Sequence, residues 1–466
     1  MKKIILIVIS ILAMTSIYAQ DVTGSWEGKL KINGIGLRIV FNVSKTDKGY
    51  SATMDSPDQG AKGIPMNSAT FENNQLIIEY SAAKIKYTAS PVSADSISGT
   101  FVQFGQSYPL GMKLSKNEVS APTKHPQEPV APLPYKSENV KFQNLKDSLT
   151  LAGTLTLPAK GKNFPAVILI SGSGAQNRDE ELMGHKPFLV IADYLTRQGF
   201  AVLRYDDRGT AGSTGNFSKA TTFDLANDAE AAITFLKTRK EINAKKIGLM
   251  GHSEGGLIAP IVAARNPEAA FIVMLAGPGL DGGQILLLQQ ELIGRANSMS
   301  EKDITTTREI NTEIHKIINN NANNDTVKVK ILNYLNSVPE KYADVKIPEG
   351  MTTEQLIQLQ TSQLCTPWML EFIRYNPAPT LEKVKCPVLA LIGSKDLQVP
   401  AKENIPALEN AFKNGNNKKA VVKELDGLNH LFQTCTTGAP SEYSTIEETF
   451  SPVALKTISD WLKKLK

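Results

Sequence analysis

The sequence predicts an α/β protein: a mostly parallel sheet covered on both faces by helices, with a helical insertion, preceded by a small all-β barrel or sandwich. Three observations lead there. From Val140 onward, short apolar runs alternate with helical patterns, the rhythm of a covered parallel sheet. Residues 20–115 instead show short alternating runs broken by turn signals. Between them, residues 116–138 hold Pro122, Pro126, Pro129, Pro132 and Pro134, a density that favours an extended, semi-rigid linker.

Composition agrees with this division. A chain of 466 residues is long enough for two or three domains, and 41% hydrophobic with 21% charged residues is globular. The formal charge is +5. Lys2 and Lys3 carry two of those charges in a segment expected to be removed, and the remainder is too weak to argue for nucleic acid. Met1-Lys-Lys, the apolar run Ile4–Met14 and a small residue at Ala19 have the three parts of a secretory signal peptide, residues 1–19. The run is short for a membrane span, so the mature chain is expected without a transmembrane segment and outside the cytoplasm, periplasmic or secreted. Cys365, Cys386 and Cys435 permit at most one internal disulfide, and their spacing suits no zinc motif.

In the N-terminal region, Leu37, Ile39, Phe41 and Val43 alternate with mostly polar neighbours, as do Leu76, Ile78 and Tyr80. Turns are expected at residues 47–49, 73–74 and 94–95. Trp26, Phe101 and Phe104 are expected as core or edge aromatics rather than a ligand surface.

The second domain, residues 139–466, opens with an antiparallel pair, Val140–Leu145 and Leu149–Leu157. Strands follow at Ala166–Ile170, Ala201–Tyr205, Ile247–Met250 and Phe271–Leu275, separated by helices at Pro187–Arg197, Phe223–Leu236 and Leu257–Ala264. The rhythm breaks at Ala276-Gly-Pro-Gly279, and residues 278–380 are mostly helical. It resumes with strands at Val388–Ile392 and Val421–Leu425 and helices at Ile405–Phe412 and Pro452–Leu465. An insertion at the C-terminal edge of a parallel sheet overlies the place where ligands bind, so residues 278–380 are expected to form a cap. Trp368, Phe372 and Tyr375 form one helical stripe, expected to pack into the cap's own core, with a substrate pocket as the alternative.

The chemistry centres on Gly251-His-Ser-Glu-Gly255. A strand, a sharp turn bearing Ser253 and a following helix make a nucleophile elbow. Glycines two before and two after the serine give the turn clearance, and the Glu254 N–H is placed to donate to an oxyanion. A serine hydroxyl needs a base, and the base needs an orienting acid. Of five histidines, His430 follows the last strand on the loop edge that carries Ser253. His125 lies in the linker, His185 before a helix, His315 in the cap, and His252 is expected to point away from the Ser253 side chain. Asp396, just past a strand end, is the leading acid. Asp426 is ranked second because it is so close to His430 in sequence. The loop after Ile170, Ser171-Gly-Ser-Gly174, is expected to supply the second oxyanion N–H from Ser173, with Gly174 as the near alternative.

The order Ser253, Asp396, His430, the elbow and Arg204-Tyr-Asp-Asp-Arg-Gly-Thr-Ala-Gly-Ser-Thr-Gly215 resemble the alpha/beta-hydrolase superfamily. More narrowly, they resemble exported bacterial serine carboxylesterases with a small N-terminal β-domain and a serine aminopeptidase-like hydrolase domain. The resemblance covers residues 138–466 well and 21–115 loosely. It departs at Ser171-Gly172, where many relatives carry His-Gly. It implies ester hydrolysis through an acyl-enzyme on short or medium acyl, acetyl or feruloyl esters. The substrate would be a small molecule or attached to a polysaccharide. No cofactor or metal is implied. The superfamily also implies a prolyl-type aminopeptidase as an alternative, for which Glu371 is the one plausible ammonium ligand in the cap, although an exposed position is expected for it. A non-catalytic binding protein on a hydrolase scaffold is a further alternative.

Overall fold

The computed structural model describes residues 22–32, 35–46, 49–57, 61–80, 84–103, 106–115, 125–338 and 352–465. The signal segment lies outside the described residues. The chain divides into two compact units, Met1–Ser56 with Lys62–Val119, and Ser120–Lys466 with Pro57–Ala61.

The first unit is antiparallel throughout its paired strands: β1 (Gly24–Ile32), β2 (Ile35–Thr46), β3 (Gly49–Ser56), β4 (Ala61–Pro65), β5 (Ser68–Glu72), β6 (Gln75–Tyr80), β7 (Ile85–Ser93), β8 (Ser96–Gln103) and β9 (Gln106–Leu114). The order is β2-β1-β9-β8-β7-β6-β5-β3, and β2 pairs again with β3, closing an eight-stranded barrel with β4 added at β3. A barrel of this size is just wide enough for side chains to fill. The alternation of β2 and β6 turns Ile39, Phe41, Val43, Leu76 and Ile78 inward, where Trp26, Tyr87 and Phe101 join them. Phe41 stacks on Tyr87 with centroids 5.2 Å apart. The buried polar tips are satisfied: Trp26 Nε1 donates to the Val22 carbonyl at 2.8 Å and Tyr87 Oη to that of Leu110 at 2.9 Å. Trp26 and Phe101 are thus core aromatics, while Phe104 lies outside the described residues. Asn73 and Asn74 turn at positive φ, 51° and 62°, a conformation that asparagine tolerates.

The second unit carries an eight-stranded sheet: β10 (Tyr135–Asn144), β11 (Leu149–Pro158), β12 (Phe164–Ile170), β13 (Ala201–Tyr205), β14 (Ile242–His252), β15 (Ile272–Leu275), β16 (Val388–Gly393) and β17 (Ala420–Leu425). Its order is β10-β11-β13-β12-β14-β15-β16-β17. β10–β11 and β11–β13 are antiparallel, and the other pairs are parallel. Helices α1 (Pro187–Arg197), α2 (Thr222–Lys237), α3 (Gly255–Arg265), α10 (Ala401–Asn414) and α11 (Pro452–Lys463) accompany it. Two apolar cores form: Ile168, Leu203 and Leu249 pack with α2 and α3, and Val167, Val202 and Met250 pack with α1 and α11. That is why the central strands are apolar on both faces. The chain leaves β12 for β13 on one side and returns to β14 on the other. The loops after β12 and β14 therefore part at a topological switch point, where such sheets bind ligands.

β10 begins at Tyr135, five residues before the expected strand and inside the proline-rich segment. Tertiary contacts set that start. Tyr135 Oη donates to Asp193 of α1 at 2.9 Å, and its ring lies under the Arg197 guanidinium at 5.9 Å. Upstream, Gln127 donates to the Phe450 carbonyl at 2.7 Å and accepts from Thr449 N–H at 2.6 Å and Phe450 N–H at 3.0 Å. Residues 125–134 are therefore a strap on the second unit rather than a free spacer.

Between β15 and β16 lie α4 (Gly282–Ala296), α5 (Glu301–Asn319), α6 (Asn324–Ser337), α7 (Thr353–Leu364), α8 (Pro367–Arg374) and α9 (Ala378–Leu381). Their own core is Ile310, Ile314, Ile318, Val327, Ile331, Leu335, Ile357, Leu370 and Ile373. The three cysteines are all free thiols.

Candidate active site

The elbow is tight for a reason visible in its neighbours. Ser253 sits at φ 51°, a strained backbone for a non-glycine residue, between the end of β14 and the start of α3. A Cβ at Gly251 would lie 1.8 Å from the Gly255 carbonyl oxygen, and one at Gly255 would lie 2.2 Å from that of Ile170. Only glycine fits at either place. Ser253 N–H donates to the Leu275 carbonyl at 2.8 Å, tying the turn to the adjacent strand.

Asp396 follows the end of β16 and His430 the end of β17. His430 Nδ1 lies 2.8 Å from Asp396 Oδ2, and both residues are buried. The other carboxylate oxygen, Asp396 Oδ1, accepts from Gln398 N–H and Val399 N–H, each at 2.8 Å. The carboxylate therefore caps its own turn and faces the imidazole at once. Asp426 is elsewhere: exposed, it accepts from the Ser394 hydroxyl at 3.1 Å. The His430 loop is braced by Asn429, whose amide donates to Gln433 Oε1 at 2.9 Å and whose carbonyl accepts Leu431 N–H at 3.0 Å and Gln433 N–H at 2.9 Å.

Ser253, His430, Glu254 and Ser173 line one cavity of about 220 Å³. Gly172 and Gln176 also line it, and Gly174 does not. The loop carrying Ser173 is clamped from beneath by the motif after β13. Asp207 Oδ1 accepts from the Ser171 hydroxyl at 2.8 Å and its Oδ2 from Gln176 N–H at 2.9 Å. Asp206 takes Arg178 N–H at 2.8 Å and the Arg178 guanidinium at 2.6 and 3.0 Å. Arg204 pairs with Asp179, and Arg208 with Asp228 at 2.7 Å. Burial pushes the Asp207 carboxyl well above the usual range and lowers Arg204 to about 10. Glu180 closes the loop, its Oε1 accepting Gly172 N–H at 2.7 Å.

The cap supplies the apolar wall: Ile285 and Leu286 from α4, and Trp368 and Phe372 from α8. This corrects the expectation for the α8 stripe. Phe372 belongs to the core that the sheet forms with α2 and α3, Trp368 and Tyr375 pack against that core, and Trp368 stacks on Phe372 at 5.1 Å. The cap's own core takes Leu370 and Ile373 instead, because α8 is apolar on two faces. Trp368 Nε1 donates to Glu254 Oε1 at 2.7 Å, and Thr222 Oγ1 donates to the same oxygen at 2.6 Å. Burial raises the Glu254 carboxyl above its ordinary range, against the Thr222, Trp368 and Ser173 contacts that favour its charge.

Glu371 is also corrected. It is not exposed but half-buried; burial raises its pKa, and its Oε2 is enclosed without a hydrogen bond. Its helix docks that face onto the body of the unit, so an acidic residue on an amphipathic helix is covered. Glu291 and Glu313 do sit in outward ion pairs, with Arg295 at 2.7 Å and Lys316 at 3.2 Å. Among the described residues, no group of three or more His, Cys, Asp or Glu side chains is arranged to hold a metal.

A switch-point sheet, an elbow serine at positive φ and a helical cap over the strand ends occur together here, and a family model agrees. Residues 186–342 match the family described as serine aminopeptidase, S33. The second unit has the alpha/beta-hydrolase fold, and the family match spans about a third of the chain. The chain is 31% identical over 154 residues to esterase EstD of Thermotoga maritima, a match covering 32% of this chain and only 37% of that protein. It is 26% identical over 298 residues to an uncharacterized 31.7 kDa protein of Escherichia coli from a traX-finO intergenic region, covering 62% and 92% of the two chains. The solved alpha/beta hydrolase GrgF from Penicillium sp. sh18 aligns with 71% of this chain and 98% of its own length, at 19% identity and a TM-score of 0.43.

The sequence reading gave no individual role in the site to Glu180, His252, Asp206 or Asp207, and considered Glu254 only for its N–H. The one available signal was the density of charge in Arg178-Asp-Glu180 and Arg204-Tyr-Asp-Asp-Arg208. Nothing in the spacing says that these two runs meet.

Proposed function

We propose that this hydrolase is a serine carboxylesterase for short or medium acyl esters, including acetyl or feruloyl esters, acting through an acyl-enzyme. The observation that carries the reading is the shared cavity: an elbow serine and His430, itself held on Asp396, open onto the same space. In this mechanism His430 donates its Nδ1–H to Asp396, which leaves Nε2 to take the Ser253 proton. The Ser253 Oγ attacks the ester carbonyl. The N–H groups of Glu254 and Ser173, with Gly174 as the alternative to the latter, receive the oxyanion. Such a donor is typically worth about 100- to 1,000-fold in turnover. His430 then protonates the leaving alcohol, and a water activated by the same histidine releases the acid. A volume of about 220 Å³ walled by Leu286, Trp368 and Phe372 suits a small apolar acyl or aryl group. A fluorophosphonate is expected to add once, at Ser253, and to abolish hydrolysis of p-nitrophenyl butyrate. Labelling elsewhere with activity intact would overturn the assignment.

One observation favours a second reading, hydrolysis of aminoacyl substrates. Glu254 senses the charge of Glu371, each has an enclosed Oε2 without a hydrogen bond, and an ammonium would compensate them. If prolyl or alanyl anilides are turned over efficiently, and Glu371→Gln removes that activity while sparing esters, the second reading holds. We further propose that the chain is exported and cleaved after Ala19. N-terminal sequencing of the mature protein tests this, and an intact Met1 would refute it.

A further inference from the structure

His252 stands next to the proposed nucleophile, and the esterase mechanism above gives it no task. Its ring is buried, with Nδ1 2.9 Å from Glu180 Oε1 and Nε2 3.0 Å from the His430 backbone carbonyl oxygen. A carbonyl oxygen can only accept, so Nε2 must carry a proton. Glu180 Oε1 already accepts Gly172 N–H at 2.7 Å. A carboxylate there requires a proton on Nδ1 as well. A neutral imidazole has only one N–H and cannot serve both acceptors.

We propose that His252 is a positioning residue protonated at neutral pH, an imidazolium paired with Glu180 that fastens the base loop and the Ser173 loop to the nucleophile elbow. Three separate segments meet on this pair. Glu180 holds the Ser173 loop through Gly172 N–H, His252 belongs to β14, and its Nε2–H holds the loop of His430 at the residue proposed as the base. The inference rests on the esterase reading for its catalytic consequence, but the protonation state stands apart from it.

The surroundings support a charged ring. Burial opposes the charge, yet the Glu180 carboxylate, its hydrogen bond and the His430 carbonyl outweigh it and raise the His252 pKa. The other titratable groups facing the ring are Asp396, which favours the charge, and the His430 ring, its centroid 4.9 Å away. From α1, β15 and the loops, the apolar residues Pro187, Phe188, Ile191, Leu275, Leu431 and Phe450 line the small space that the ring also borders. Because the folded pKa is raised, the fastening is complete at low pH and is lost as pH rises through it. Above that point a lone pair faces an acceptor, and the base loop is released.

The test uses the full-length protein with histidine ring nitrogens labelled by ¹⁵N. At pH 7.5 both His252 nitrogens are expected in the protonated range, in wild type and in Ser253→Ala alike. Glu180→Gln removes the counter-charge and is expected to move the alkaline fall of kcat/KM for p-nitrophenyl butyrate down by about one to three pH units. His252→Gln is expected to lower kcat by on the order of 10- to 100-fold, with KM little changed, as small misplacements of catalytic groups do. An unprotonated His252 nitrogen at pH 7.5 would overturn the proposal, as would an alkaline limb that Glu180→Gln leaves in place. Neither result touches the esterase reading, which the labelling of Ser253 decides. Failure of that labelling leaves the nitrogen spectrum of His252 as an independent measurement.

Discussion

The barrel and the second unit bury different things. Among its described residues the barrel encloses aliphatic and aromatic side chains, with Asp55, Ser56 and Gln106 as its buried polar residues. The second unit encloses Glu180, Arg204, Asp206, Asp207, Arg208, Asp228, Glu254 and Asp396. Burying a charge costs several kcal/mol unless it is paired and hydrogen-bonded, and a well-packed apolar replacement is often no less stable. A fold needs no such cluster to stand, as the barrel shows. In the second unit these buried ionisable groups gather under the loops that surround Ser253. The comparison therefore separates residues that hold the fold from residues that hold the site, and each prediction below tests one side of it.

The largest effect is expected at the elbow. Ser253→Ala should reduce ester turnover by several orders of magnitude, because loss of a triad nucleophile leaves only about 1,000- to 10,000-fold over water. Steady-state kinetics with p-nitrophenyl butyrate measures it, and retained turnover would break the comparison at its centre.

Next comes the acid. Asp396→Asn should cost about 10,000-fold in kcat, since an amide holds the wrong tautomer of the imidazole. Asp426→Asn, on an exposed carboxylate facing Ser394, should change kcat by less than about threefold. A reversed ranking would make Asp426 the acid.

A smaller pair sets the two units directly against each other. Trp26→Ala should destabilise the barrel by about 3–5 kcal/mol, as large-to-small changes in a core do. It should leave kcat on small aryl esters unchanged. Asp206→Ala strands Arg178 and should cost about 3 kcal/mol while also lowering kcat, because the Ser173 loop loses its clamp. Denaturant melts and esterase kinetics on both variants separate the outcomes. A Trp26→Ala protein that is folded but inactive on small esters would give the barrel a part in the chemistry.

The smallest effect concerns Asp207, whose raised pKa means that the folded state holds its proton more tightly than the unfolded chain. Its contribution to stability is present below the ordinary aspartate pKa and is lost as pH rises through the folded value. An asparagine can reproduce both contacts, its oxygen toward Gln176 N–H and its nitrogen toward the Ser171 hydroxyl. Asp207→Asn should therefore be neutral or stabilising by about 1 kcal/mol at pH 8, with the advantage shrinking toward pH 4. Melts across that range check it, and a large loss at pH 8 would show that Asp207 works as a paired anion.

Much of this was legible in advance. α1 and β13 begin and end where the apolar pattern placed them, since both bury a regular repeat between polar breaks. The elbow was readable because Gly251 and Gly255 are demanded by contacts within a few residues and by the strand beside them. β10 was read short because its first residues are fastened by Asp193 and Arg197, about sixty positions away. The α8 stripe was assigned to the wrong core because a helix pattern reports which face is apolar but not what covers it.

By itself the sequence determined the local rules: which segments are strands or helices, where the chain must turn, and which serine stands in a turn too tight for a Cβ at Gly251 or Gly255. Those rules act over a few residues and leave their mark in the order of side chains. The tertiary structure decided which of two aspartates faces His430, that Glu371 is enclosed, and that His252 lies between Glu180 and the His430 carbonyl. Those facts depend on where separate loops meet at the end of the sheet, and on how burial there shifts the balance between a charge and its partner.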